Sequence, residues 1–225
     1  MNFYKTDTDT EPTTTGSRNG VYSVEIKEKY SFVSLEDKKV WKDYCTENRK
    51  NRSRILLNSY VPLDTSLLST ITFFSIGKRI KQLDFMAFAP YEHGIQFLVT
   101  KKVYDIISKY KLPIHNKIPA KIDTYNQNYY LIGFPMLEKS TFDFTRSSFY
   151  EHSQNREFFF KTLENYENAD NVVGDYVPVK LVLKEKLIYD VIKTVEGIFF
   201  SPKIIEEFKR ENITGYRIKE GVLEN

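Results

Sequence analysis

Chemistry in this 225-residue chain would have to come from three histidines, one cysteine and one hydroxyl-rich segment. His93, His115 and His152 stand far apart, outside any His-x3-His, His-Glu-x2-His or Cys-x2-Cys spacing. Local metal sites use such close pairs because neighbouring ligands are fixed together by one element. No metal is therefore expected. The segment SSFYEH (147–152) sets two hydroxyls beside a Glu–His pair, which suggests hydrolysis by an activated serine. Triad members converge from distant segments, however, and the chain has no Gly-x-Ser-x-Gly elbow. The segment reads as a turn leading into a strand. Cys45 has His93 as its nearest histidine in sequence and shares a helical face with apolar residues, so it reads as a small core residue. Neither Gly-x4-Gly-Lys-Ser/Thr nor Gly-x-Gly-x2-Gly occurs, which excludes phosphate cradles of those types. The carboxylate pairs Glu206/Glu207 and Glu185/Asp190 sit where a helix dipole or solvent accounts for them. The residues thus give no catalytic, metal or cofactor site and call for no cofactor.

Charge points the same way. Net charge is +3, from 33 Lys and Arg against 30 Asp and Glu, too mild to require a polyanion. The run RKNRSR (Arg49–Arg54) is the densest basic patch. It reads as a solvated helix end, where cations meet the negative end of the dipole. The alternative is a nucleic-acid-binding module that uses Arg49–Arg54 with Lys101 and Lys102. The opposite charge concentrates in ENYENADNVVGD (Glu164–Asp175), read as a polar loop that could face a basic partner. The many Lys, Asn, Ile, Tyr and Phe beside scarce Ala fit codon composition, so aromatic clusters are not taken as base-stacking platforms.

These residues need a scaffold. Hydrophobic residues make up 41% of the chain and charged residues 28%, ordinary values for a folded protein. The start, MNFYKTDTDTEPTTTG, has no apolar run, so no secretory signal is expected. Residues 1–19 read as a disordered polar tail. No apolar stretch approaches the roughly 20 residues that cross a bilayer. One cysteine allows no internal disulfide, and the expected compartment is the cytoplasm.

VYSVEI (21–26) and YSFVSL (30–35) read as strands. Ser34 with Asp37 three residues on resembles a capping box, opening a helix whose face carries Val40, Trp41, Tyr44 and Cys45. STITFFSI, LDFMAFAP, KIPAKI, YYLIGFP and PVKLVLKEKLIYDVI follow as strand signals. Two strand–helix–strand stretches stand out. In GIFFSPKIIEEFKRENITGYRI (197–218), Ser201 is an N-cap and Pro202 occupies the first helical position. Ile204, Ile205 and Phe208 form the apolar stripe, with Glu206 and Glu207 early, and Asn212 and Gly215 bracket the exit. In GIQFLVTKKVYDIISKYKLP (94–113), placing Thr100 on Ser201 aligns Val103 with Ile204, Ile107 with Phe208 and Leu112 with Ile213. Asp84 and Asp190 precede the two stretches. The expected fold is α+β (mixed α/β), with mixed, largely antiparallel sheets and a few short amphipathic helices. One domain is expected over residues 20–225, divisible near 135 into sub-units of about 20–135 and 136–225.

The stretch 197–218 resembles the C-terminal signature of a bacterial family of immunity proteins of polymorphic toxin systems: apolar strand, Ser, short helix, Thr-Gly turn, final strand. DFTRSSF (Asp143–Phe149) is similar to that family's Asp-aromatic-x-x-Ser-x-Phe segment, through Asp143, Phe144, Ser147 and Phe149. GIQFLVTKKVYDII is similar to its earlier strand–cap–helix, with Thr100 for the usual Ser. The resemblance touches residues 83–218. It implies a cytoplasmic protein, not an enzyme, that neutralises a cognate toxin domain by occluding its active site or locking it in an inactive shape; no membrane partner is expected, and a nucleic-acid partner is the less favoured alternative. It does not single out partner-binding residues or an oligomeric state.

Overall fold

A computed structural model of the chain describes residues 1–18, 21–173 and 176–225. The chain opens with β1 (Asn2–Thr8), a short helix α1 (Pro12–Thr15) and β2 (Val24–Glu25). Then come α2 (Leu35–Lys50), β3 (Ile71–Ser75), β4 (Phe85–Met86), β5 (Phe88–Ala89) and β6 (Phe97–Thr100). The middle holds α3 (Lys101–Ile107), β7 (Asn116–Ile122), β8 (Asn128–Gly133), β9 (Ser148–Glu151), β10 (Arg156–Phe158) and α4 (Leu163–Val173). The end holds β11 (Tyr176–Val182), β12 (Val191–Thr194), β13 (Gly197–Phe200), α5 (Pro202–Arg210) and β14 (Tyr216–Glu224).

The strands form two seven-stranded sheets, in the orders β4-β6-β8-β7-β3-β2-β5 and β12-β13-β1-β14-β11-β9-β10. Most neighbours are antiparallel, as expected of this α+β fold. The first five places of the two orders correspond. In each sheet the first four strands run antiparallel, and the fifth, β3 or β11, lies parallel to the fourth. A helix follows the second strand in both (α3 after β6, α5 after β13), and another precedes the fifth (α2 before β3, α4 before β11). The units differ at the third place. β8 fills it from the same stretch of chain, whereas β1 reaches the other sheet from the N-terminus. Residues 1–19 were expected as a disordered tail, and β1 corrects this. It lies between β13 and β14 with Phe3 fully buried. The polar letters NFYKTDT hide the strand because only one of its faces meets a core.

Among the described residues three apolar clusters hold the fold together. One packs α2, through Trp41, Tyr44 and Cys45, on the β3–β8 sheet. Another packs Tyr166 of α4 beneath Phe149, Leu181 and Leu223. The third joins the units: Phe85, Phe97, Val103 and Ile107 meet Phe200, Ile204, Ile205 and Phe208. The stripes of α3 and α5 therefore dock as their spacing requires.

Local signals held or failed for identifiable reasons. Ser34 and Asp37 form the capping box, Ser34 Oγ accepting from Asp37 N at 3.0 Å. The strand expected over 30–35 is a turn instead, with Tyr30 N and Ser31 N donating to Lys27 O. Adjacent Ser31 and Phe32 both turn inward there while Tyr30, Val33 and Leu35 stay exposed, so the burial does not alternate as in a strand. The polar loop expected over 164–175 is largely helix α4. Leu163, Tyr166 and Ala169 give it a narrow buried stripe, while Gly174 and Asp175 lie outside the described residues.

Candidate functional site

The residues that the two strand–helix–strand stretches have in common converge on the seam between the sheets. Asp84 binds both ways: Thr100 Oγ1 donates to its Oδ1 at 2.9 Å, and Thr214 N and Oγ1 donate to its Oδ2 at 3.0 Å. Phe85 N donates to Thr214 O, so the edge of one unit is stitched to the helix exit of the other. The reciprocal stitch uses Asp190. Its N–H donates to Lys111 O at 2.8 Å, and its Oδ2 accepts from Lys111 N at 3.1 Å. Each aspartate also offers its backbone carbonyl to the residue before the helix, Thr100 N in one case and Ser201 N in the other, both at 2.9 Å. The Thr-Gly turn has a steric reason as well. Gly215 sits at φ +80°, and a Cβ there would lie 2.3 Å from Phe85 O.

Two details of α5 correct the sequence reading. Ser201 Oγ makes no capping bond and is buried without a partner among the described residues. The Ser201 carbonyl instead receives Ile204 N and Ile205 N. The pair Glu206/Glu207 lies beyond the first turn. Glu207 is a buried tie to the region after α3, accepting from Lys109 Nζ at 2.6 Å and Tyr110 Oη at 2.5 Å, with Arg210 at 3.1 Å. These donors, Lys109 foremost, hold its carboxyl below the ordinary 4.5. A depressed carboxylate stabilises the fold above its unfolded pKa and loses that contribution as pH falls through the folded value. Glu207→Gln should therefore cost about 2 kcal/mol at neutral pH, the scale of a charged hydrogen bond. It should also flatten the acid limb of a stability–pH curve below roughly pH 4.5, read by urea midpoints.

The chemistry-bearing residues stay apart. His115 Nδ1 lies 2.9 Å from Pro113 O and its Nε2 lies 3.1 Å from Tyr104 Oη, and burial lowers its pKa. His93 stacks edge-on to Tyr91, and His152 edge-on to Tyr150. No His/Cys/Asp/Glu group among the described residues could hold a metal ion. Ser147 Oγ donates to Asp143 O at 2.7 Å and accepts from Val182 N at 3.0 Å, while Glu151 accepts from Ser153 N and Gln154 N. SSFYEH is thus turn and strand, and Phe144 and Phe149 stack in the core. Burial, with the Glu92 carboxylate beside it, pushes the Cys45 thiol up, away from a reactive thiolate.

The basic run does not form one strip. Arg49 pairs with Glu92 at 3.3 Å, Lys50 reaches Glu47 at 4.0 Å, and Arg54 Nε donates to Asn48. Lys101 pairs with Asp105 and Lys102 Nζ donates to Glu211 O, both at 2.5 Å. Arg52 instead lines a cavity at the seam with His93, Gln96 and Lys193. Of these, Gln96 and Lys193 carry no signal in sequence: a single lysine in VIKT looks like an ordinary outward residue.

One outer surface is unusual. Register places Tyr150 with Val177, and Lys180 with Val222 and Tyr4, on one face of the β1-containing sheet, continuing to Ile218 beside Thr6. Tyr4, Val177 and Ile218 are exposed, as is Val179 in the adjoining bulge. The charges around it pair internally, Lys180 with Glu224 at 2.6 Å and Lys219 with Asp7 at 2.5 Å.

The chain matches no protein-family model and no curated protein. No helix among the described residues is long and apolar enough to cross a membrane.

Proposed function

We propose that this chain is a cytoplasmic binding protein of the immunity type, which docks on a cognate toxin domain and blocks it without catalysis. The observation that carries this reading is the use made of the signature residues. Asp84, Thr100, Ser201, Thr214 and Gly215 build the seam, and Asp143, Phe144, Ser147 and Phe149 build a turn and its core. Segments that resemble the immunity family are a framework, and a framework acts through the surfaces it presents. The face around Tyr4, Val177 and Ile218 offers aromatic and aliphatic contact area. Its internally paired charges suit a protein surface of mixed character rather than a polyanion. A stable complex would bury about 1,600 Å².

The test is co-expression with the toxin domain encoded beside this chain. Restored growth and a 1:1 complex on gel filtration are expected, and the double variant Val177→Glu with Ile218→Glu should weaken the complex about tenfold or more. An active toxin that kills equally with and without this chain would overturn the reading.

A further inference from the structure

We propose that the seam cavity is a binding site for a small oxyanion, a phosphate or carboxylate group, held by Lys193, Arg52 and Gln96 with His93 beside them. The cavity measures about 230 Å³, room for such a group. Among the described residues its polar lining is Arg52, Tyr91, His93, Gln96 and Lys193, with no Asp or Glu. Gln96 Oε1 already accepts from Phe134 N at 2.5 Å, which leaves its amide N–H groups as donors. Among the described residues neither the Lys193 ammonium nor the Arg52 guanidinium makes a hydrogen bond or a close salt bridge, although the charges of Asp7 and Glu196 act on Lys193. Lys193 carries a desolvation cost that a bound anion offsets, and Arg52, at the exposed rim, adds a second cation beside the Gln96 amide.

The walls are held by the fold. Lys193 lies on β12, on the face shared with Ile198 and Thr6, and its carbonyl accepts from Leu137 N at 2.8 Å. Opposite, Asn48 Nδ2 donates to His93 O at 3.2 Å and Asn116 Nδ2 to Gly94 O at 3.1 Å. Both units contribute, so the site exists only when the seam is closed.

The charge balance sets a pH dependence. Lys193 faces Lys5 and Asp7 of β1 and Glu196 of the following turn, with Arg52, Tyr91 and His93 around the cavity. Asp7 is engaged by Lys219. Burial lowers the Lys193 pKa to about 8. An anion binds the charged form, so it raises that value, and affinity falls as pH rises past it.

The experiment titrates inorganic phosphate, and separately acetate, into the full chain while the Gln96 side-chain amide resonance, present in every variant, is followed by NMR. Saturable binding of at least one probe is expected, about tenfold weaker in Lys193→Gln and in Arg52→Gln, and weaker at roughly pH 9.5 than at roughly pH 6.5. Phosphate saturating without acetate assigns a phosphate site, and comparable saturation assigns a carboxylate-type site. Arg52 is exposed, so its variant keeps the test valid if Lys193→Gln folds poorly. Saturation by neither probe at millimolar concentration, or binding in both variants as tight as in the unaltered chain, overturns the proposal.

Discussion

Deleting residues 1–8 should abolish the folded protein. The deletion removes β1 from between β13 and β14 and leaves two unpaired strand edges inside a sheet. It also removes Phe3, fully buried against Phe199 and Leu223. Loss of a buried Phe alone costs about 3–5 kcal/mol, against a total stability of about 5–15 kcal/mol. The deleted chain should collect in inclusion bodies or show no cooperative melt by circular dichroism. The milder Phe3→Ala should fold with a lowered urea midpoint, worth about 3–4 kcal/mol. A deletion variant melting within a few degrees of the full chain would restore the dispensable tail that the polar letters of this segment suggest.

The second large effect lies at the shared core. Phe208 is fully buried and its ring meets Phe85 at 5.6 Å, Phe200 at 5.6 Å and Tyr216 at 5.3 Å, edge-on in each case. Phe85 belongs to one sheet, Phe200 and Tyr216 to the other. Phe208→Ala leaves a cavity between stitched units that cannot collapse freely, and it loses three aromatic contacts. The expected cost is about 4 kcal/mol by urea denaturation. Phe159→Ala, at an exposed position, should stay within about 0.5 kcal/mol. Equal effects of the two variants would mean that α5 is not docked.

What was legible in sequence was what neighbouring residues determine. Ser34 with Asp37 announces α2 because a capping box is completed within one turn. The stripe Ile204, Ile205, Phe208 announces a docked helix because its spacing has no other economical use. The likeness of 94–113 to 197–218 was visible too, since each carries a hydroxyl residue before its helix and an apolar stripe along it. β1 was not legible, because its place is an opening left by β13 and β14 some two hundred residues away, and strand propensity yields to that context. α4 was misread because Asn and Asp favour turns when nothing packs on them, and here Tyr166 does. Glu207 looked like a helix-dipole charge and became a tie to Lys109 and Tyr110. The seam cavity was illegible for the same reason as β1: Arg52, Gln96 and Lys193 meet only once both sheets exist.

The chemistry-bearing groups are dispersed, and the family-like segments are structural. The action through shape proposed above requires one molecule of this chain for each molecule of a toxin target. For that proposal the most direct measurement is residual activity of a toxin domain encoded beside this chain against the molar ratio of added chain. Activity should fall linearly and reach zero near equimolarity, with the toxin recovered unmodified by mass spectrometry. Silencing of the toxin by a small fraction of an equivalent, or full activity at every ratio, would contradict it.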